Sequence, residues 1–167
     1  ILWNGFITDV TRLRNTQEKV RQFSQAVEQS PVSILITDTT GAIEYANKKF
    51  ITTSGYSFEE LIGQNPRFLK SGYKTDEEYK ELWQTILNGN EWHGEFYNKK
   101  KDGSYYWESA TISPILNSEG KIVQFLEIKE DITDRKLAEV QLKNYADELK
   151  NSNKDLENFA YVASHDL

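Results

Sequence analysis

Three runs rich in β-branched and aromatic residues follow one another in the second half of the chain with almost nothing between them. Residues 92–100, 105–116 and 121–132 are parted only by Asp102-Gly103 and by the segment 117–120, both turn signals. Strands joined this tightly form an antiparallel meander. Two further strands are predicted upstream, over residues 33–39 and 42–46, around a Thr40-Gly41 turn. Between the two groups lie only helical patterns. Residues 47–55 read as a short helix stopped by Gly55, and Ser57 with Glu60 forms a capping box for another that closes at Gly63. Residues 75–88 make the clearest helix. Thr75 and Glu78 cap it, Gly89 stops it, and Tyr79, Leu82, Trp83, Ile86 and Leu87 fall on one face. The expected fold is α+β, one antiparallel sheet with helices gathered on a single face.

Long helices are expected on either side. Residues 12–29 space Leu13, Val20, Phe23 and Val27 along one face, and Ser30-Pro31 ends that pattern. From residue 134 to the end there is no glycine or proline. Leu142, Tyr145, Leu149, Ser152, Leu156, Phe159 and Ala163 alternate steps of three and four, the seam of a coiled coil, with Leu137 and Val140 off that register. A helix packing back on its own domain is the other reading of this stretch. Residues 1–11 carry an echo, because Asp9-Val10-Thr11 recurs 122 residues later as Asp131-Ile132-Thr133. Either three letters coincide, or residues 1–11 are the final strand of a preceding repeat of the same domain.

Composition narrows the function. The chain carries 26 acidic and 20 basic residues, a formal net charge of −6, and no basic face for nucleic acid. No apolar run approaches the roughly 18 residues of a membrane span, so no membrane contact is expected and a cytoplasmic location is. With no cysteine there is no disulfide, thiolate zinc site or cysteinyl cofactor attachment, and no metal site is expected. With no methionine, the chain is expected to be an internal piece of a longer protein.

The order of elements resembles the Per-Arnt-Sim (PAS) sensor domain. The matching residues are Ile36-Thr37-Asp38, Gly41, Tyr45-Ala46-Asn47, Phe50, Gly55-Tyr56, Glu60-Leu61-Ile62-Gly63, Lys101-Asp102-Gly103, Ser113-Pro114-Ile115, Gly120 and Asp131-Ile132-Thr133 with Arg135. The resemblance implies a five-stranded sheet in the order 2-1-5-4-3 cupping a small-molecule pocket. It divides the chain into a truncated strand (1–11), a linker helix (12–29), the sensor domain (30–133) and a coiled-coil signalling helix (134–167). It also implies an Asp131–Arg135 ion pair where the last strand enters that helix, with Asp131 or Thr133 as a cap.

Residues 63–69, GQNPRFL, are similar to the flavin segment of light-oxygen-voltage domains, a PAS subgroup. Pro66 stands where those domains hold a photoreactive cysteine, which rules out covalent adduct chemistry. Redox-sensing PAS domains are similar through Trp92-His93-Gly94-Glu95, Asn98 and Tyr106-Trp107. That resemblance implies FAD or FMN held by Asn65, Trp92, Asn98 and Trp107. The same aromatics serve equally as plain core and sheet residues around an empty pocket. Haem is not expected, since the family's usual haem histidine lies on the long helix, which here has none.

The chain ends on NFAYVASHDL, residues 158–167, which resembles the opening of the H-box of sensor histidine kinases. The resemblance implies that His165 is a phosphoacceptor, since a neutral imidazole is nucleophilic near neutral pH. Asp166 then orients the ring or takes its proton. The plainer alternative is a solvated helix histidine. His165 falls two residues past Ala163, about 200° around the helix, and so off the seam. The expected function is the regulatory segment of a two-component sensor histidine kinase. Its expected partners are a second copy through the coil, the parent's ATP-binding domain and a response regulator. No glycine-rich phosphate loop is present, so the segment alone is not expected to be catalytic. A flavin redox module and an empty PAS dimerisation spacer are the alternatives.

Overall fold

A computed structural model describes the backbone of residues 2–165 and the side chains of residues 12–158, 160 and 161. It divides into two compact units, residues 1–131 and 132–167.

The first unit begins with α1 (Leu2–Glu28) and continues through β1 (Ser33–Asp38), β2 (Ile43–Ala46), α2 (Lys48–Ser54) and α3 (Phe58–Leu61). A 3-10 turn (Pro66–Leu69), α4 (Asp76–Leu87), β3 (Trp92–Lys99), β4 (Tyr105–Leu116) and β5 (Ile122–Asp131) complete it. The strands form one antiparallel sheet in the order β2-β1-β5-β4-β3. The expected α+β class and strand order are therefore found. Last in sequence, β5 is central in space, pairing Ile128 with Ile34 of β1 and with Thr111 of β4.

The strand expected at residues 1–11 is not found. Residues 2–11 belong to α1, a single helix of 27 residues, and Ile1 lies outside the described residues. A helix satisfies its backbone N–H and C=O groups within its own segment, whereas a strand there needs a neighbour to pair with.

Both expected capping boxes form, Ser57 with Glu60 and Thr75 with Glu78. Asn47 does more than cap α2. Its Oδ1 accepts from Phe50 N at 3.1 Å and from Ile34 N at 3.0 Å, while its Nδ2 donates to Val27 O and Val32 O, both at 3.0 Å. This fully buried side chain thus ties the end of α1 to β1 and α2. Glu28 reinforces the tie by accepting from Lys48 N at 3.2 Å and from the Tyr45 hydroxyl.

Two apolar clusters fill the space between sheet and helices. One joins Leu35, Ile43, Ala46, Phe50, Leu61 and Leu69; the other joins Leu82, Ile86, Phe96, Ala110, Ile112 and Phe125. Each large side chain buried there contributes roughly 1.5–3 kcal/mol. The second unit is α5 (Thr133–His165), one unbroken helix of 33 residues. No described helix is long and apolar enough to cross a membrane.

Candidate functional site: a charged cavity on the inner face of the sheet

Alternate residues of a strand face opposite sides of the sheet. On β5 the buried set is Phe125, Glu127 and Lys129, and on β4 it is Tyr106, Glu108, Ala110 and Ile112. Two glutamates and a lysine therefore point inward with the core. Lys129 Nζ lies 3.2 Å from Glu108 Oε1 and 3.0 Å from Glu127 Oε2, and Asn98 Nδ2 donates to Glu108 Oε1 at 2.8 Å. Burial opposes the charge on Lys129, but the Glu108 and Glu127 carboxylates outweigh it and hold its pKa above the usual lysine range. Burial, then the Glu108 charge, pushes the Tyr106 hydroxyl well up. Tyr106 Oη makes no hydrogen bond of good geometry, although Glu108 and Asn98 stand beside it.

This cluster borders a cavity of about 230 Å³ between the sheet, α4 and the 3-10 turn. Tyr79, Trp83, Phe96 and Phe125 supply aromatic walls, Leu82, Ile86 and Ile112 aliphatic ones, and Asn98, Glu127 and Lys129 a polar end. Arg67 and Lys70, which line the cavity and are also exposed, mark its mouth. Gly41 is needed at the rim. Its φ is +85°, and a Cβ there would meet Asn65 Nδ2 at 2.5 Å and the Trp83 ring at 3.0 Å.

The residues assigned to flavin separate. Asn65 and Asn98 both line the cavity. Asn65, however, is occupied as a cap: its Oδ1 accepts from Arg67 N at 3.1 Å and its Nδ2 donates to Thr40 O at 3.3 Å. Trp92 packs beside the cavity against Phe96 and lies so close over Gly94 that a Cβ there would meet its ring at 2.4 Å. Trp107 is a correction. The pleat turns it to the other face of the sheet, where its ring meets Tyr73 and Tyr97. His93 is on that outer face as well, with Nε2 at 2.8 Å from Glu91 Oε1 and Nδ1 at 2.9 Å from Thr111 Oγ1. Among the described residues no group of three or more metal-ligating side chains comes together.

At the other end of the chain, His165 is the last residue of α5, with its side chain outside the described set, and Asp166 lies outside the described residues. Asp131 ends β5 opposite Glu108, Thr133 opens α5, and Arg135 Nε lies 3.8 Å from Glu139 Oε1 within that helix.

Residues 31–134 match the family model described as a PAS domain. The chain belongs to the PAS family. Among its relatives, the nitrogen fixation regulatory protein of Klebsiella oxytoca is 38% identical over 130 residues, covering 78% of this chain and 26% of that protein. The aerotaxis receptor of Escherichia coli is 32% identical over 105 residues, covering 63% of this chain and 21% of the receptor. This PAS chain thus spans about a quarter of these curated relatives or less. Among solved structures, an RNA-binding light-oxygen-voltage receptor superposes with a TM-score of 0.67 at 28% identity, over 74% of this chain and 36% of that one. The light-oxygen-voltage domain of a blue-light-activated histidine kinase from Erythrobacter litoralis gives 0.58 at 27% identity, over 63% and 99%.

Relatives of the light-oxygen-voltage type make flavin the group to test against this PAS cavity. Of the four side chains that the resemblance assigns to a flavin, Trp107 faces the opposite side of the sheet, Trp92 packs beside the cavity, and Asn65 is engaged as a cap. The flavin-holding set that the resemblance implies is therefore not brought together in this cavity.

Reading the sequence missed Glu108, Glu127 and Lys129. The signal was present but inverted: in Leu126-Glu127-Ile128-Lys129 the apolar residues look like core, yet Ile128 is 40% exposed and Lys129 only 4%. Ala110, small and cross-strand to both Lys129 and Gly94, is the hint that the inner face leaves room there.

Proposed function

We propose that this chain is the sensor and transmitter segment of a two-component histidine kinase. The PAS cavity receives the signal, and α5 carries it to His165, the phosphoacceptor, with Asp166 orienting the imidazole. The observation that supports this reading is continuity along one strand. Glu127 and Lys129 line the cavity on β5, β5 ends at Asp131, and α5 begins at Thr133 and runs unbroken to His165. A cavity event that shifts β5 acts within two residues of the junction. Likeness to a light-oxygen-voltage domain from a histidine kinase lends further support.

Two copies of α5 pair through the seam of Leu142, Tyr145, Leu149 and Leu156. A pair between Asp131 and Arg135 at the junction biases one orientation of the helix over another. A signal whose affinity for the two orientations differs by a few kcal/mol repopulates them and changes the access of His165 to the ATP-binding domain. The phosphate then passes to a response regulator, in the cytoplasm. Autophosphorylation of the full-length parent kinase, read with radiolabelled ATP, tests the proposal. His165→Gln abolishes the label and Asp131→Ala shifts its basal level. Label that persists in His165→Gln places the phosphoacceptor elsewhere.

A further inference from the structure

The last turn of α1 has little of its own to end it. No basic residue stands there, and Glu28 sets a carboxylate at the end of the helix dipole that disfavours a negative charge. Every residue from 12 to 26 is exposed, so among the described residues α1 meets the body only through its last turn and the bend at Ser30-Pro31. Three groups of the body hold that turn. Glu28 accepts from Lys48 N at 3.2 Å and from the Tyr45 hydroxyl. Asn47 Nδ2 spans the bend itself, donating to Val27 O on the helix side and to Val32 O on the strand side, both at 3.0 Å. Val27 O is one of the carbonyls that a helix leaves without an α-helical partner at its end. The strand side runs straight into the sheet: Val32 precedes Ser33, which is 4% exposed and pairs with Lys129 of β5. Asp131 ends β5 two residues later, and α5 opens at Thr133. One cross-strand step therefore separates the bend from the strand that leads into α5.

We infer that Glu28, Tyr45 and Asn47 form a latch through which movement of α1 reaches β5 and the start of α5 without passing through the cavity. With the latch closed, α1 and β1 keep one relation across the bend. With it open, α1 turns on Ser30-Pro31, Val32 loses its anchor, and the pairing of Ser33 with Lys129 loosens. Coupling between two sites is reciprocal, so a change at the end of β5 also loosens the hold on α1. The consequence for His165 rests on the role proposed for α5; the coupling from α1 to β5 does not.

Amide hydrogen exchange of the 167-residue chain at neutral pH, read by mass spectrometry, tests the latch. Glu28→Ala removes the acceptor of both Lys48 N and the Tyr45 hydroxyl at an exposed position. It raises exchange about fivefold in residues 30–36 and again in residues 129–136, the ratio that losing one hydrogen bond of ordinary net strength gives. Exchange in α4 stays as it was. Asn47→Asp keeps the acceptor for Phe50 N and Ile34 N but puts an oxygen where Nδ2 donates to Val27 O and Val32 O, so it gives the same pattern with a larger rise. Should Asn47→Asp fail to fold, Glu28→Ala still decides. A rise confined to residues 12–36 reduces these contacts to an end cap and overturns the latch. A rise that includes α4 to the same degree is general loss of stability and overturns it too, as does no rise anywhere. Exchange does not read phosphate transfer, so the latch and the role of His165 fail separately.

Discussion

The PAS body and α5 bury their apolar residues in opposite ways. In the body, Leu35, Phe50, Leu61, Phe125 and Tyr106 are each at most 1% exposed, held by strands far apart in sequence. Along α5, Leu142, Tyr145, Leu149 and Leu156 are 63–68% exposed. A sheet backed by helices finds its partners within its own chain, whereas a lone polar helix with one apolar stripe finds none along its own length. The body is therefore expected to keep its stability as a single copy, and α5 to owe its stability to a second one. If α5 pairs with a second copy as proposed, that pairing can change without unfolding the domain that senses.

Separating the two regions most sharply is the double change Leu149→Lys with Leu156→Lys. Each buried leucine contributes roughly 1.5–3 kcal/mol, so sedimentation equilibrium should show self-association weakened at least about a thousandfold. The melting of the PAS body should stay where it was. A dimer that survives would locate the interface in the body or on α1.

Next in size is Glu108→Ala, which acts on the body alone. It strips Lys129 of one of its two carboxylates and leaves Asn98 Nδ2 without its partner. Breaking a buried charge pair this way costs about 3–5 kcal/mol, read from the urea midpoint. Replacing Glu108, Glu127 and Lys129 together by Leu, Leu and Met should cost much less. If the single and the triple change cost the same, the charged cluster is not a coupled unit.

A smaller effect, again confined to the body, is expected in alkali. Burial, then the hydrogen bond and charge of Glu28, push the Tyr45 hydroxyl up to about 12. Below pH 10, the ordinary tyrosine value, folded and unfolded chains both keep this proton and the tie to α1 is intact. Between there and about 12 the unfolded chain loses the proton first, so stability falls as pH rises. The raised values at Lys129 and Tyr106 act in the same direction. Tyr45→Phe should make the decline shallower. An unchanged slope would mean that Tyr45 has no part in it.

The smallest expected effect lies where the two regions join. Asp131→Ala should change the stability of the body by no more than about 1 kcal/mol, the ceiling for an exposed pair. Under the proposed kinase role, it should still alter basal autophosphorylation of the full-length protein. A double-mutant cycle with Arg135→Ala measures the coupling directly, and strictly additive effects would reduce the junction to a tether.

Local chemistry made much of this molecule legible in its sequence. Capping boxes at Ser57/Glu60 and Thr75/Glu78, glycine stops at Gly55 and Gly89, and short turns between the last three strands depend on neighbouring residues alone, and they placed the elements. The unbroken helix Thr133–His165 is local in the same sense, since no glycine or proline interrupts that stretch. What the sequence did not disclose depends on which face a strand turns inward. The resemblance puts Trp107 in the pocket, yet the pleat faces it away, while Glu127 and Lys129 pass for surface residues and are buried with the core. Residues 2–11 have the apolar composition of a strand, but nothing in the described structure pairs with them as one, and they continue the helix. Local patterning determined that this chain would build a five-stranded sheet flanked by helices. Only the packing of β5 between β1 and β4 decided that a lysine and two glutamates would meet at the polar end of a cavity, because burial of a charge depends on partners that come together only when distant strands align.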